Sequence, residues 1–315
     1  MLSAGLGLLS CALPRPEHGA LRAEPRVAPR TSFVVLGDTQ RSLWSEEHVL
    51  GREQNDRERA RLVAQIVNEE SPAFVVHLGD LVAKASPPHW RYYDELVAPL
   101  VEAGIPLFPV LGNHEYFGEG RHPERSARLR YRELAQGGYY AKRWGRLGLV
   151  WLDTNLTGRA EARQLAWLAR RLRDFDAAPG ILGTLAFAHH PPFTNGVGRH
   201  GHAAARERLL PLLRRSTKVV AFMSAHVHGY ERFDLGGLAL FVSGGGGGPR
   251  VEYRTGHARS LAPAALDGKA ARPLHYVVVR DAGESLVVTT RCLASSRGCP
   301  DGGVLDQARL AFPPH

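Results

Sequence analysis

The sequence predicts an α/β fold in a single domain, and three observations carry that expectation. From Thr31 onward, short and wholly apolar runs alternate with longer amphipathic stretches. The runs are bounded by Gly, Asp or Asn, as buried strands usually are. No internal repeat and no break in composition divides residues 32–292. Such alternation needs crossover connections, and therefore largely parallel strands with helices packed outside them.

The elements follow in order. Phe33 to Leu36, Phe74 to Leu78, Leu107 to Leu111, Leu149 to Leu152, Leu185 to Ala188 and Val219 to Met223 read as buried strands. Between them, Leu62, Val63, Ile66 and Val67 recur at helical spacing, as do Trp90, Tyr93, Leu96, Val97 and Leu100, which Gly104 stops. Leu165, Leu168 and Leu172 mark a third helix. After residue 236 the pattern turns to strands and turns, at Leu238 to Ser243, Tyr276 to Arg280 and Ser285 to Thr290. Residues 293–315 read as a C-terminal tail, and residues 1–31 as a leader and tether.

At 315 residues and 44% hydrophobic, the chain can bury a sizeable core. Its formal charge of +9 would suit an anionic partner. The only lysines are Lys84, Lys142, Lys218 and Lys269, and the arginines are scattered along helical stretches rather than massed in one block. A nucleic-acid face should cluster its charge, so no specific nucleic-acid partner is expected. No apolar run is long enough to cross a bilayer.

Chemistry gathers at the strand ends. The first run leads into Gly37-Asp38-Thr39-Gln40, the second into Gly79-Asp80 and the third into Gly112-Asn113-His114-Glu115. The fifth leads into His189-His190-Pro191 and the sixth into Ser224-Ala225-His226-Val227-His228. In an open α/β sheet the carboxyl ends of strands are where sites are built. Carboxylate, amide and imidazole donors without a thiolate suit hard or borderline divalent ions such as Mn, Fe or Zn. Asp38, Gln40, Asp80, Asn113, His189, His226 and His228 are too many donors for one ion. They suit two, about 3.5 to 4 Å apart and sharing a carboxylate.

The ordered set GD, GD, GNHE, HHP and HVH resembles the calcineurin-like metallophosphoesterases, over roughly residues 31 to 290. HVHGYER at 226 to 232 and VSGGGGG at 242 to 248 resemble their purple-acid-phosphatase-like branch. The resemblance implies a four-layer αββα sandwich, with mixed sheets flanked by helices. It also implies phosphoester hydrolysis by a hydroxide bridging two metal ions, with a phosphomonoester as the expected substrate and a phosphodiester or nucleotide as the alternative. A metal- or phosphate-binding protein without turnover is the alternative of another class. Asp80 would bridge both ions, Asp38 and His228 would hold the first, and Asn113, His189 and His226 the second. The His-x-Pro spacing selects His189 over His190, which moves to the substrate side. His114 would stabilise or protonate the leaving oxygen.

Two departures matter. Position 40 holds Gln where the family usually has His, so either a neutral oxygen donor replaces the imidazole, with manganese the expected ion, or Gln40 only hydrogen-bonds a metal-bound water. Ala83 stands where purple acid phosphatases carry a Tyr three residues after the bridging Asp, so a ferric tyrosinate centre is not expected. Ala225 also replaces the usual Gly before His-x-His. His200 and His202, in GVGRHGH, could reach a bound phosphate or belong to a solvated loop. His77 reads as core or as a group orienting a ligand, Asp153 as structural, Arg232 as a structural guanidinium, and Gly244 to Gly248 as a flexible turn.

The leader resembles a bacterial lipoprotein signal at Leu8-Leu9-Ser10-Cys11, although no Lys or Arg precedes it and Leu9 is bulky for its place. A lipidated Cys11 would tether an exported protein in the cell envelope or periplasm; a disordered cytoplasmic leader is the alternative. Cys292 and Cys299 are the other cysteines, and they suit one local disulfide or, in a reducing cytosol, two surface thiols.

Overall fold

The computed structural model describes residues 31–197, 200–250 and 272–314. The leader with Cys11 and part of the GVGRHGH loop lie outside the described residues. Among the described residues, twelve strands form two six-stranded sheets. The first sheet contains β1 (Ser32–Leu36), β2 (Val75–His77), β3 (Leu107–Pro109), β10 (His275–Asp281), β11 (Ser285–Cys292) and β12 (Val304–Ala311), in the order β12-β11-β10-β1-β2-β3. The second contains β4 (Tyr140–Trp144), β5 (Leu147–Trp151), β6 (Gly183–Phe187), β7 (Val219–Ser224), β8 (Tyr230–Asp234) and β9 (Ala239–Ser243), in the order β4-β5-β6-β7-β9-β8. Strands β1 to β3 run parallel, as do β5, β6, β7 and β9, while β4, β8, β10, β11 and β12 pair antiparallel.

The layers follow from the period of two along each strand. Phe33 and Val35 enter the core between the sheets, together with Val76, Leu149, Trp151, Leu185 and Phe187. Their neighbours Val34 and Leu36 face outward onto Leu62, Val63 and Ile66 near the end of α2 (Asp56–Gln65), and onto Trp90, Tyr93 and Val97 of α3 (Pro87–Glu102). Val150 and Ala186 face outward on the second sheet, onto Leu168 and Leu172 of α5 (Gly158–Ala177) and Leu213 of α6 (Leu210–Arg215). Both faces of each central strand are buried, which is why these strands read as unbroken apolar runs. Short helices α1 (Trp44–His48) and α4 (Arg125–Arg130) lie in connections. The result is the expected αββα sandwich. Among the described residues, no helix is long and apolar enough to cross a membrane.

The C-terminal segment corrects the reading of 293–315 as a tail. Residues Val304–Ala311 form β12, which pairs with β11 along its length. As an edge strand it alternates buried Leu305 and Ala308 with polar residues, so it carries no apolar run. Cys292 and Cys299 are disulfide-bonded, with Cα atoms 5.7 Å apart, between β11 and β12. Arg232 is structural, as expected: its guanidinium pairs with Asp306 of β12 at 2.6 Å and ties the two sheets together.

Candidate metal centre

The C-terminal ends of β1, β2, β3, β6, β7 and β9 meet at one edge of the sandwich. Among the described residues, Asp38, Asp80 and His226 have positive φ (58°, 53° and 68°), and the remaining non-glycine case is Ser71. An L-residue enters this left-handed region at a cost, so the fold holds three site residues in strained backbone. The glycines beside them serve close approach. A Cβ on Gly112 would lie 2.1 Å from Asp80 Oδ1, and one on Gly244 would lie 2.3 Å from Asp38 Oδ2. Gly244 to Gly248 are buried, with Gly247 against Arg59 and Gly248 against the His228 ring. This corrects their reading as a flexible turn: they line the floor of the site.

One group of donors centres on His189, which is fully buried. Its Nε2 lies 3.1 Å from Asn113 Oδ1, 3.1 Å from His226 Nδ1 and 3.3 Å from Asp80 Oδ2. Its Nδ1 donates to the carbonyl of Leu78 at 2.9 Å, which leaves Nε2 as a lone pair in the neutral ring. Burial opposes a charge on His189, but Asp80, Asp38 and the Leu78 carbonyl outweigh it and raise its pKa to about 9. The pocket therefore favours positive charge. Burial works against an ionised Asp80, yet His189 and His114 hold its carboxyl well below the usual range.

A second group centres on His228, whose Nδ1 donates to the Pro249 carbonyl at 2.7 Å. Its Nε2 lies 3.6 Å from Asp38 Oδ1. The Gln40 amide is best satisfied with its nitrogen on the carbonyls of Asp80 (3.1 Å) and Asp38 (3.3 Å), which puts its oxygen 3.0 Å from His228 Nε2. Asp38 Oδ2 accepts the His226 backbone N–H at 2.9 Å, and Asp80 Oδ1 accepts that of His114 at 2.9 Å. Donor atoms of Asp38, Asp80 and His189 lie within 4.8 Å of one another, as do those of His189, His190 and His226. Lone pairs of oxygen and nitrogen thus converge on the same space. A cation in that space relieves their repulsion, so the residues present fit the divalent ions that the donor set implies.

The remaining expected residues are placed as follows. His114 is partly exposed; its Nδ1 donates to the carbonyl of Ala83 at 2.7 Å, and its Nε2 lies 3.8 Å from Asp80 Oδ2. His190 bonds Thr154 Oγ1 at 2.7 Å and stacks on His202 with ring centres 4.9 Å apart. His200 is exposed. His77 is buried and bonds Thr39 Oγ1 at 2.9 Å, bracing the backbone between Asp38 and Gln40 rather than a ligand ring. Burial pushes its pKa down to about 3, so it stays neutral. Asp153 is structural, accepting from Tyr116 at 2.5 Å.

Two residues without an expected role shape the site. Glu115, fully buried, accepts the backbone N–H groups of Asp80, Leu81, Val82 and Gly112 at 2.8 to 3.2 Å. Arg59, also fully buried, donates to the carbonyls of Gln40 (3.1 Å) and Gly247 (2.8 Å). Glu115 stands in GNHE, and its position directly after His114 was the available signal; Arg59 gave none.

An αββα sandwich that gathers carboxylate, amide and imidazole donors at its strand ends is the arrangement of a metallophosphoesterase domain. Residues 31–230 match the calcineurin-like phosphoesterase family, and the chain belongs to it. No curated protein matches the chain in sequence. Among solved structures, it is similar to the purple acid phosphatase PPD1 from yellow lupin (Lupinus luteus) seeds, at 18% identity and TM-score 0.69, over 89% of this chain and 53% of that one. This chain therefore spans about half the length of the lupin phosphatase. It is also similar to GAP50, the anchor in the inner membrane complex of Plasmodium, at 17% identity and TM-score 0.63, over 90% and 89% of the two chains. A dimetal phosphatase from Danio rerio matches at 18% identity and TM-score 0.60, over 90% of this chain and 100% of that one.

Proposed function

We propose that this protein is a phosphomonoesterase working with two divalent ions, preferably manganese. Asp38, Gln40 and His228 hold one ion, Asn113, His189 and His226 hold the other, and Asp80 lies between them. The observation that carries this reading is the convergence of the His189 Nε2 with Asn113, His226 and Asp80 at 3.1 to 3.3 Å. When bound, such a pair supplies activation of water and neutralisation of charge on the phosphoryl oxygens.

The chain's own groups do the rest. Backbone N–H groups of His226 and His114 fix the Asp38 and Asp80 carboxylates in place. The Leu78 and Pro249 carbonyls set the tautomers of His189 and His228. His114, anchored through Nδ1 on Ala83, presents Nε2 to the site; as the imidazolium it holds a proton for the departing oxygen. His190, His200 and His202 form the substrate side.

With added manganese, the protein should hydrolyse para-nitrophenyl phosphate faster than bis-para-nitrophenyl phosphate. A preference for the bis-ester would reverse the substrate assignment, and no turnover with any divalent ion would leave a binding protein instead. Gln40 has its own test. Its oxygen is a weaker and harder donor than imidazole, so Gln40→Ala should lower manganese affinity about tenfold and Gln40→His should shift preference toward zinc. Equal manganese affinity in wild type and Gln40→Ala, measured calorimetrically, would remove Gln40 from the ligand set.

A further inference from the structure

In the phosphohydrolase reading proposed above, His114 marks the side of the site from which a leaving group departs. Its ring is tied to the carbonyl of Ala83, so residues just beyond Ala83 form the neighbouring rim. Two segments meet there. The Ala85 N–H donates to the Phe117 carbonyl at 2.8 Å, and Ala85 and Gly118 form a parallel bridge. A Cβ on Gly118 would come within 2.6 Å of the Ala85 carbonyl, so glycine permits this approach. The approach places the Lys84 ammonium 5.9 Å from the centre of the Phe117 ring. Phe117 is 53% exposed, an unusual position for a large apolar side chain beside a polar site.

No carboxylate of the described residues pairs with Lys84, whereas Lys142 pairs with Glu133 at 3.2 Å and Arg41 with Asp56 at 2.8 Å. His89, half-buried at the start of α3, has its pKa lowered by burial first and then by Arg41, Lys84 and His114. These basic groups therefore lie within electrostatic reach of one another. An exposed flat ring and an ammonium that no carboxylate of the described residues pairs, next to the group that would face the departing oxygen, match a leaving group that is both flat and anionic.

We propose that Lys84 and Phe117 form a leaving-group subsite selecting substrates whose terminal phosphoryl group is joined by an anhydride bond to a second phosphate that carries a flat ring, as in a nucleoside diphosphate cleaved at its terminal phosphate. This rests on the phosphohydrolase reading above. In that reaction water adds to the terminal phosphorus and the bond to the bridging oxygen breaks. Nucleoside monophosphate and orthophosphate leave, and one proton passes to solvent. Lys84 meets the negative charge on the departing phosphate, and Phe117 stacks on the base.

The test compares kcat/KM of the full chain for ADP and AMP with manganese, since both offer the same ring, but ADP releases the phosphate-bearing AMP and AMP releases uncharged adenosine. A charge-assisted contact of this kind should favour ADP by about tenfold or more in the wild type. Lys84→Met should bring the ratio close to one, and Lys84→Arg should restore it. Phe117→Ala should lower the rate with ADP relative to inorganic pyrophosphate, which has the charge without the ring. Equal rates for ADP and AMP in the wild type, or an unchanged ratio in Lys84→Met, would overturn the subsite. If the wild type cleaves none of these compounds, the hydrolase reading has failed, and calorimetric titration with ADP and AMP decides the subsite alone. Tighter binding of ADP that disappears in Lys84→Met supports it; equal binding overturns it.

Discussion

Asp80→Asn is expected to lower kcat/KM for para-nitrophenyl phosphate by about a thousandfold or more while leaving the fold intact. The substitution is isosteric, and the retained amide oxygen can still accept the His114 backbone N–H that Asp80 Oδ1 holds at 2.9 Å. What changes is the charge and the second oxygen. Asp80 Oδ2 lies 3.3 Å from His189 Nε2, and donor atoms of Asp38, Asp80 and His189 lie within 4.8 Å of one another, so Asp80 sits where the two donor groups meet. An amide nitrogen cannot donate a lone pair to a cation. One unit charge at about 4 Å is worth roughly 4 kcal/mol at an effective dielectric constant of about 20, which corresponds to about three powers of ten in rate. Steady-state kinetics with manganese, together with metal content of the purified variant, would check this. Activity within tenfold of wild type would show that Asp80 is not the shared carboxylate.

The path to Asp80 was open in the sequence because each parallel strand announces its own end. An apolar run buried on both faces stops at a glycine, and the next residue is a candidate donor, as at Gly37-Asp38 and Gly79-Asp80. What the run does not reveal is backbone geometry. The left-handed φ of Asp38, Asp80 and His226 depends on what the neighbouring strand ends leave room for, and an aspartate carries no mark of it. Edge strands failed for a related reason. β4 and β12 face solvent on one side and mix charged with apolar residues, so they resemble loops when read locally. β8 was visible only as the motif residues Tyr230, Glu231 and Arg232, whose strand pairing with β9 emerges from contact with the second sheet. The glycine run at 244 to 248 signals freedom in isolation, while here the missing Cβ atoms leave space that Asp38, His275, the Gly37 carbonyl with Thr39, Arg59 and His228 take in turn.

Glu115→Ala carries the second large expectation, a loss of about 3 to 5 kcal/mol of folding stability, because a buried acceptor for four N–H donors disappears and each orphaned donor costs about 1 to 3 kcal/mol before water or relaxation relieves part of it. One carboxylate oxygen accepts from Asp80 and Gly112, and the other from Leu81 and Val82. The residue thereby clamps the loop after β2 to the loop after β3. Burial, with the nearby Asp80 charge adding to it, raises the Glu115 pKa to about 7, yet the backbone donors pull the other way and favour the ionised form. Glu115→Gln separates size from hydrogen bonding. It keeps the volume but turns an –NH₂ toward two of the N–H groups, so its stability should also fall, by less than that of Glu115→Ala. Urea unfolding of the metal-free proteins reads this without any contribution from bound ions. Manganese affinity should fall in the same order, since the positive φ of Asp80 is held by this clamp rather than by its own preference. A wild-type unfolding midpoint in Glu115→Gln would mean that the four bonds contribute little, and that some other contact keeps Asp80 in place.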